Sequence, residues 1–80
     1  MNKNEIIEKL QDIFCDVFDN EDIKLTEATC AEDIEEWDSI GHVQLIKELQ
    51  ARFNIVFTAQ EMRSWDDIGE MADAILSKIS

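Results

Sequence analysis

The side chains with the clearest chemical use are Asp38, Ser39 and His42, at the start of a stretch that reads as a helix. A serine at a helix mouth, after an acid and before apolar residues, can carry a covalently attached group. Unpaired backbone N–H groups and the positive end of the helix dipole favour a negative phosphate at such a place. A phosphodiester on Ser39 would sit in that field, offset in part by Asp38. The same spacing admits a second chemistry, because Ser39 and His42 could form a nucleophile and base on one helix. That reading lacks its supports. There is no Gly-x-Ser-x-Gly turn and no evident orienting acid or oxyanion donor. His42 also falls at the centre of the core-facing arc, which makes it a packed histidine, so no catalytic residue is assigned.

The elements that must position Ser39 follow from periodicity. Over residues 4–18, Ile6, Ile7, Leu10, Ile13, Phe14, Val17 and Phe18 form one apolar stripe at ~100° per residue. Residues 19–37 form a long loop, in which Ile23, Leu25, Cys30, Ile34 and Trp37 are spaced to pin it onto the core. A second helix is predicted over 38–53, with Asp38 as N-cap and Asn54 as terminator. Thr58 and Glu61 have the spacing of a capping box and open a short third helix. Ser64-Trp65-Asp66-Asp67 repeats that spacing and is expected to open a fourth, with Ile68, Met71, Ala72, Ile75, Leu76 and Ile79 inward. The expected fold is all-α: a small four-helix bundle with three longer helices, one short helix and a long loop between the first two.

On the second helix, Leu45, Ile46, Leu49 and Phe53 cluster on one side. Ile40 and Val43 lie well off that arc, beside Ser39, with Gln44 and Lys47 around them. Apolar residues ringed by polar ones are a common anatomy for a docking patch. The competing expectation is that the long loop covers Ile40 and Val43.

Eighty residues bound the chain to a single domain, 1–80. Such a chain buries only ~60% of its unfolded surface, so a deep catalytic cleft is not expected. Nineteen acidic against seven basic side chains give a net charge of −12, which argues against nucleic acid and anionic membranes and favours basic protein surfaces. No stretch is long enough to span a bilayer, and the opening Met1-Asn2-Lys3-Asn4-Glu5 has no apolar core of the signal-peptide kind. A cytoplasmic, monomeric protein with Cys15 and Cys30 reduced is expected.

A calcium loop at Asp19-Asn20-Glu21-Asp22 fails, because the sixth position is not glycine and Ile23 takes the fifth. Cys15, Cys30 and His42 could hold zinc only by accident of folding, and no metal site is assigned. A non-modified acidic helical adaptor for a basic partner would share composition and fold, and would differ only at Ser39.

The run Trp37-Asp38-Ser39-Ile40-Gly41-His42-Val43-Gln44-Leu45-Ile46, with Glu48-Leu49 and Phe53-Asn54-Ile55 after it, resembles an acyl carrier protein. The resemblance extends over essentially the whole chain. It implies a four-helix bundle whose serine, here Ser39, receives 4′-phosphopantetheine from a separate phosphopantetheinyl transferase. The terminal thiol then holds an acyl or aminoacyl group as a thioester for loading and transfer enzymes with basic docking surfaces. By the same resemblance Ile40 and Val43 make apolar partner contacts, and Asp38 and Glu48 share in steering. Carriers of fatty acid synthesis usually place a glycine shortly before Asp-Ser, where this chain has Glu35-Glu36-Trp37. They also place carboxylates along the second helix, where Gln44 and Lys47 stand here and act against that pathway's enzymes. A dedicated carrier for one pathway is therefore expected. The Asp38-to-Gln50 stretch is also similar to D-alanyl carrier proteins of cell-wall modification, which gives an alternative cargo.

Self-repulsion at a net charge of −12 should destabilise a small bundle at low ionic strength. Moderate salt or millimolar magnesium is expected to raise the melting temperature. A flat or falling melting temperature would mean that the carboxylates are locally paired.

Overall fold

A computed structural model describes residues 2–79. Four α-helices occur in order: α1 Lys3–Phe18, α2 Ser39–Phe53, α3 Ala59–Arg63 and α4 Ile68–Ile79. A 3-10 turn, Ala31–Asp33, interrupts the long loop, and no strand occurs among the described residues. The all-α bundle expected from the sequence is the fold observed.

Each helix is set by local chemistry at its ends. Asn2 caps α1: its side chain accepts from the Glu5 N–H at 2.9 Å, while the Glu5 carboxylate reaches back to the Asn2 N–H. Asp19 and Asn54 end α1 and α2 in the left-handed region, at φ 50 and 55, which short polar side chains tolerate. Helix α1 packs against both α2 and α4, and the stripe of Ile6, Leu10, Ile13 and Phe14 is buried between them. From α2, Leu45, Ile46 and Leu49 join this core; from α4, Ile68, Met71, Ala72 and Ile75 do so. Phe53, Leu76 and Ile79 are half-buried at its margin. At ~1.5–3 kcal/mol for each large apolar side chain removed from water, this core outweighs any local helix propensity.

The long loop is structured. Ile23, Leu25, Ile34 and Trp37 are buried, as their spacing predicted. Cys30 does not join them: its thiol lies 3.5 Å from Asp33 Oδ2 at the 3-10 turn, and the buried place is taken by Thr29. Thr29 Oγ1 accepts from the Thr26 N–H at 2.9 Å, so its polar group is satisfied inside a local turn.

The loop also corrects the expected start of α4. Ser64 does not open this helix; its hydroxyl donates to the Glu61 carbonyl at 2.8 Å and closes α3. Helix α4 begins at Ile68, where Asp67 Oδ1 accepts from the Glu70 N–H at 2.9 Å. The Ile68 and Gly69 N–H groups donate to the Thr29 and Glu27 carbonyls of the loop, at 2.8 and 2.9 Å. Four N–H groups at any helix start need partners, and here a distant segment supplies two of them.

A five-residue helix has no independent stability, so α3 depends on its neighbours. Thr58 and Glu61 form the expected capping box. Lys78 of α4 pairs with Glu61 at 3.0 Å and lies over the Phe57 ring. The Thr58 backbone N–H and then the Lys78 ammonium hold the Glu61 carboxyl below its ordinary pKa. The stability it contributes is therefore present above the unfolded value, about 4.3, and is lost as pH falls through the lower folded value. Glu61→Gln keeps a capping-box side chain but does not titrate. Its melting temperature should lie below that of the wild type at neutral pH, and the gap should close as the pH is taken below about 4. A gap that stays constant through that range would remove Glu61 as a titrating support.

Candidate functional site

Ser39 is the first residue of α2 and is exposed. Asp38 precedes it in extended conformation, and its Oδ1 accepts from the Gly41 N–H at 2.8 Å. The His42 N–H donates to the Asp38 carbonyl at 2.8 Å and starts the helical ladder. The acid beside the serine is thus a helix cap. Its carboxylate faces the first-turn N–H groups that would otherwise be open.

The loop before Ser39 is held in three ways. Asn20 Nδ2 donates to the Glu36 carboxylate at 2.7 Å, the Trp37 N–H donates to the Ile34 carbonyl at 3.1 Å, and Trp37 packs edge-on against Phe14 with centroids 5.1 Å apart. Gly41 is buried where this loop meets the helix. A Cβ there would run into the Glu36 carbonyl oxygen and approach Phe18 Cε1 to 2.9 Å. Only glycine lets α2 start this close to the chain that leads into it.

His42 ties the helix start to α3. The Trp37 indole N–H donates to His42 Nδ1 at 2.9 Å, and His42 Nε2 lies 3.0 Å from the Met62 carbonyl oxygen. An Nδ1 that accepts and an Nε2 that faces a carbonyl require the Nε2–H tautomer, with Nε2 donating. The imidazole is stacked on Trp37 and meets the Trp65 edge, which in turn lies against Phe57. Both ring nitrogens are hydrogen-bonded, and the ring is packed between the two tryptophans. Sequence reasoning missed its partners. Trp37 five residues earlier was a signal for one, whereas a backbone carbonyl at Met62 leaves none.

The outer face of α2 holds the other predicted residues. Ile40 is 72% and Val43 58% exposed, so the loop does not cover them. Gln44 and Lys47 are exposed alongside, and Lys47 has no ion partner among the described residues. Glu48 is half-buried and bound to Arg52 Nε at 2.8 Å, while Arg52 also reaches Asp16 at 3.1 Å. These two acids hold the Arg52 guanidinium above its usual pKa, Glu48 first. An open cleft of about 690 Å³ adjoins Ser39, lined in part by Trp37, His42, Met62 and Trp65. Among the described residues no group of three or more His, Cys, Asp or Glu could hold a metal ion, and no helix is long and apolar enough to cross a membrane.

If Asp38 acts as a cap, Asp38→Ala should cost about 1 kcal/mol, or about 4–8 °C in melting temperature for a domain of this size. Asp38→Asn keeps an acceptor in place and should cost distinctly less. Equal losses in the two variants would place the stabilisation in the charge and not in the cap.

No family model and no curated protein matches the chain. A solved structure does: the holo acyl carrier protein from Geobacter metallireducens, determined by solution NMR, superimposes with a TM-score of 0.87. The two are 36% identical, over 92% of this chain and 85% of that one. The fold is that of a carrier and not of a catalyst. On its sequence, its bundle and this neighbour together, the chain belongs to the acyl carrier protein family.

Proposed function

We propose that this carrier holds an acyl or aminoacyl group on a 4′-phosphopantetheine arm attached to Ser39. The observation that carries the reading is the exposed hydroxyl of Ser39 at a capped, rigidly held helix start, in a chain of this family. The residues present fit such an arm. A phosphodiester on Ser39 Oγ would stand at the N-terminus of a 15-residue helix, and the adjoining cleft leaves room for the pantetheine portion. The arm supplies a thiol whose thioester is activated for acyl transfer.

The His42 imidazole is not free to serve as a base for the modification of Ser39. His42 has both nitrogens engaged, and the Asp38 carboxylate accepts from the Gly41 N–H. Removal of the Ser39 hydroxyl proton therefore falls to a phosphopantetheinyl transferase, and the chain's part is to present the hydroxyl in a fixed position. The acidic field steers basic enzyme surfaces towards it, and Ile40 and Val43 provide the apolar contact. A dedicated pathway is favoured over housekeeping fatty acid synthesis by the same face. Its exposed helix positions carry Gln44 and Lys47, the latter without an ion partner among the described residues, and the charge of Glu48 is engaged by Arg52.

Intact mass spectrometry after treatment with a transferase and its arm donor should show one adduct on the wild type. Ser39→Ala should show none while keeping the helical circular dichroism of the parent. An adduct on the alanine variant would place the arm on another side chain and end this reading of the site.

A further inference from the structure

The hydrogen bonds that run from Trp37 through His42 to Met62 admit one protonation state. The Trp37 indole N–H can only donate, and it meets His42 Nδ1 at 2.9 Å. The Met62 carbonyl oxygen can only accept, and it lies 3.0 Å from His42 Nε2. A neutral ring with its proton on Nε2 satisfies both. When Nδ1 takes up a proton from water, the imidazolium donates from both nitrogens. The Met62 bond survives that change. The Trp37 bond does not, because two N–H groups then face each other.

Trp37 is buried, packs edge-on against Phe14 and stands two residues before Ser39. Among the described residues every buried side-chain nitrogen and oxygen has a hydrogen-bond partner, and protonation of His42 takes that partner from the indole. Leaving a buried donor unpaired costs more than the bond is worth net. The stacked rings, with centroids 6.1 Å apart, return part of that as a cation over an aromatic face, yet the indole N–H still lacks an acceptor. The charges around the ring do not hold an imidazolium either. Asp38 ahead of α2, Arg63 of α3 and Asp66 beyond it line the cleft that His42 also lines. Asp38 is engaged by the Gly41 N–H, Arg63 repels a second cation, and Glu61 of α3 is paired with Lys78. No carboxylate, Asp66 included, makes an ion pair with His42 among the described residues.

We infer that His42 is a pH-sensitive positioning residue for Ser39. The neutral ring holds Trp37, and through it the chain entering α2, so that the Ser39 hydroxyl is presented in one place to the enzyme that modifies it. Protonation at Nδ1 releases Trp37, leaves α2 tied to α3 and loosens the approach to Ser39. The inference rests on the carrier reading of Ser39. The hold is present where the ring is neutral and is lost on acidification. Histidine is the side chain whose charge ordinarily changes between about pH 5 and 8, a range in which the Glu61 carboxyl stays ionised.

Two measurements test this. Nitrogen-15 NMR of the unmodified chain from pH 8 to pH 5 should show the Trp37 indole N–H losing its protection, relative to a free indole, at the midpoint where His42 Nδ1 gains its proton. Backbone amides inside the helices should stay protected. His42→Gln does not titrate there, and its amide keeps an oxygen to accept and an N–H to donate. With one phosphopantetheinyl transferase, the ratio of wild-type to His42→Gln modification rates cancels the enzyme's own pH dependence. That ratio should fall about two- to tenfold between pH 7.5 and pH 5.5, the range that one lost hydrogen bond gives. A constant ratio, a ring still neutral at pH 5, or a ring that gains its proton while Trp37 stays protected would each overturn the inference. Where the glutamine chain lacks the circular dichroism of the parent, the NMR titration of the wild type decides. No adduct on the wild type at either pH ends the carrier reading itself, and the positioning role with it.

Discussion

The hydrogen-bonded line from the Trp37 indole through His42 to the Met62 carbonyl is the interaction on which the site depends. It joins three segments that lie apart in the chain: the end of a long loop, the first turn of α2, and a helix of five residues. Each hydrogen bond contributes only about 0.5–1.5 kcal/mol net, but leaving its buried groups unpaired would cost more. The bridge therefore acts less as a source of stability than as a condition on geometry. With Trp37 placed against Phe14 and Gly41 against the Glu36 carbonyl, Ser39 has one position relative to the core.

The acidity of the chain is put to structural use at the helix starts. Asp38 and Asp67 accept from first-turn N–H groups, and Glu5 and Glu61 from the N–H groups of the cap residues Asn2 and Thr58, where the helix dipole favours negative charge. Cations are fewer and tie acids together: Lys3 bridges Glu27 and Asp73, which raises its pKa above the ordinary lysine value, and Arg52 bridges Glu48 and Asp16. The outer face of α2 is left with Lys47 and two exposed apolar side chains, against an acidic background.

What could be read from the sequence was what local rules decide. The inward arcs of α1 and α2, the Asp38 cap, the Thr58–Glu61 box and the left-handed stop at Asn54 each depend on residues within a turn or two. The start of α4 was misplaced because its first N–H groups are satisfied by Thr29 and Glu27, far back in the chain. Ser64 had the right spacing, but the Glu61 carbonyl was nearer. Cys30 does not take the buried place expected of it and Thr29 is buried instead, since a hydroxyl bonded within its own turn buries as readily as a thiol. His42 was legible as packed; its role as a bridge was not, because one partner is a main-chain oxygen with no signature in residue type.

Nitrogen-15 NMR of the His42 imidazole tests the central bridge most directly. The structure requires an unprotonated Nδ1, a protonated Nε2, and scalar coupling between the Trp37 indole nitrogen and Nδ1 across their hydrogen bond. A His42 ring protonated at Nδ1, or a Trp37 indole proton that exchanges as freely as an exposed one, would contradict the bridge and with it the fixed placement of Ser39.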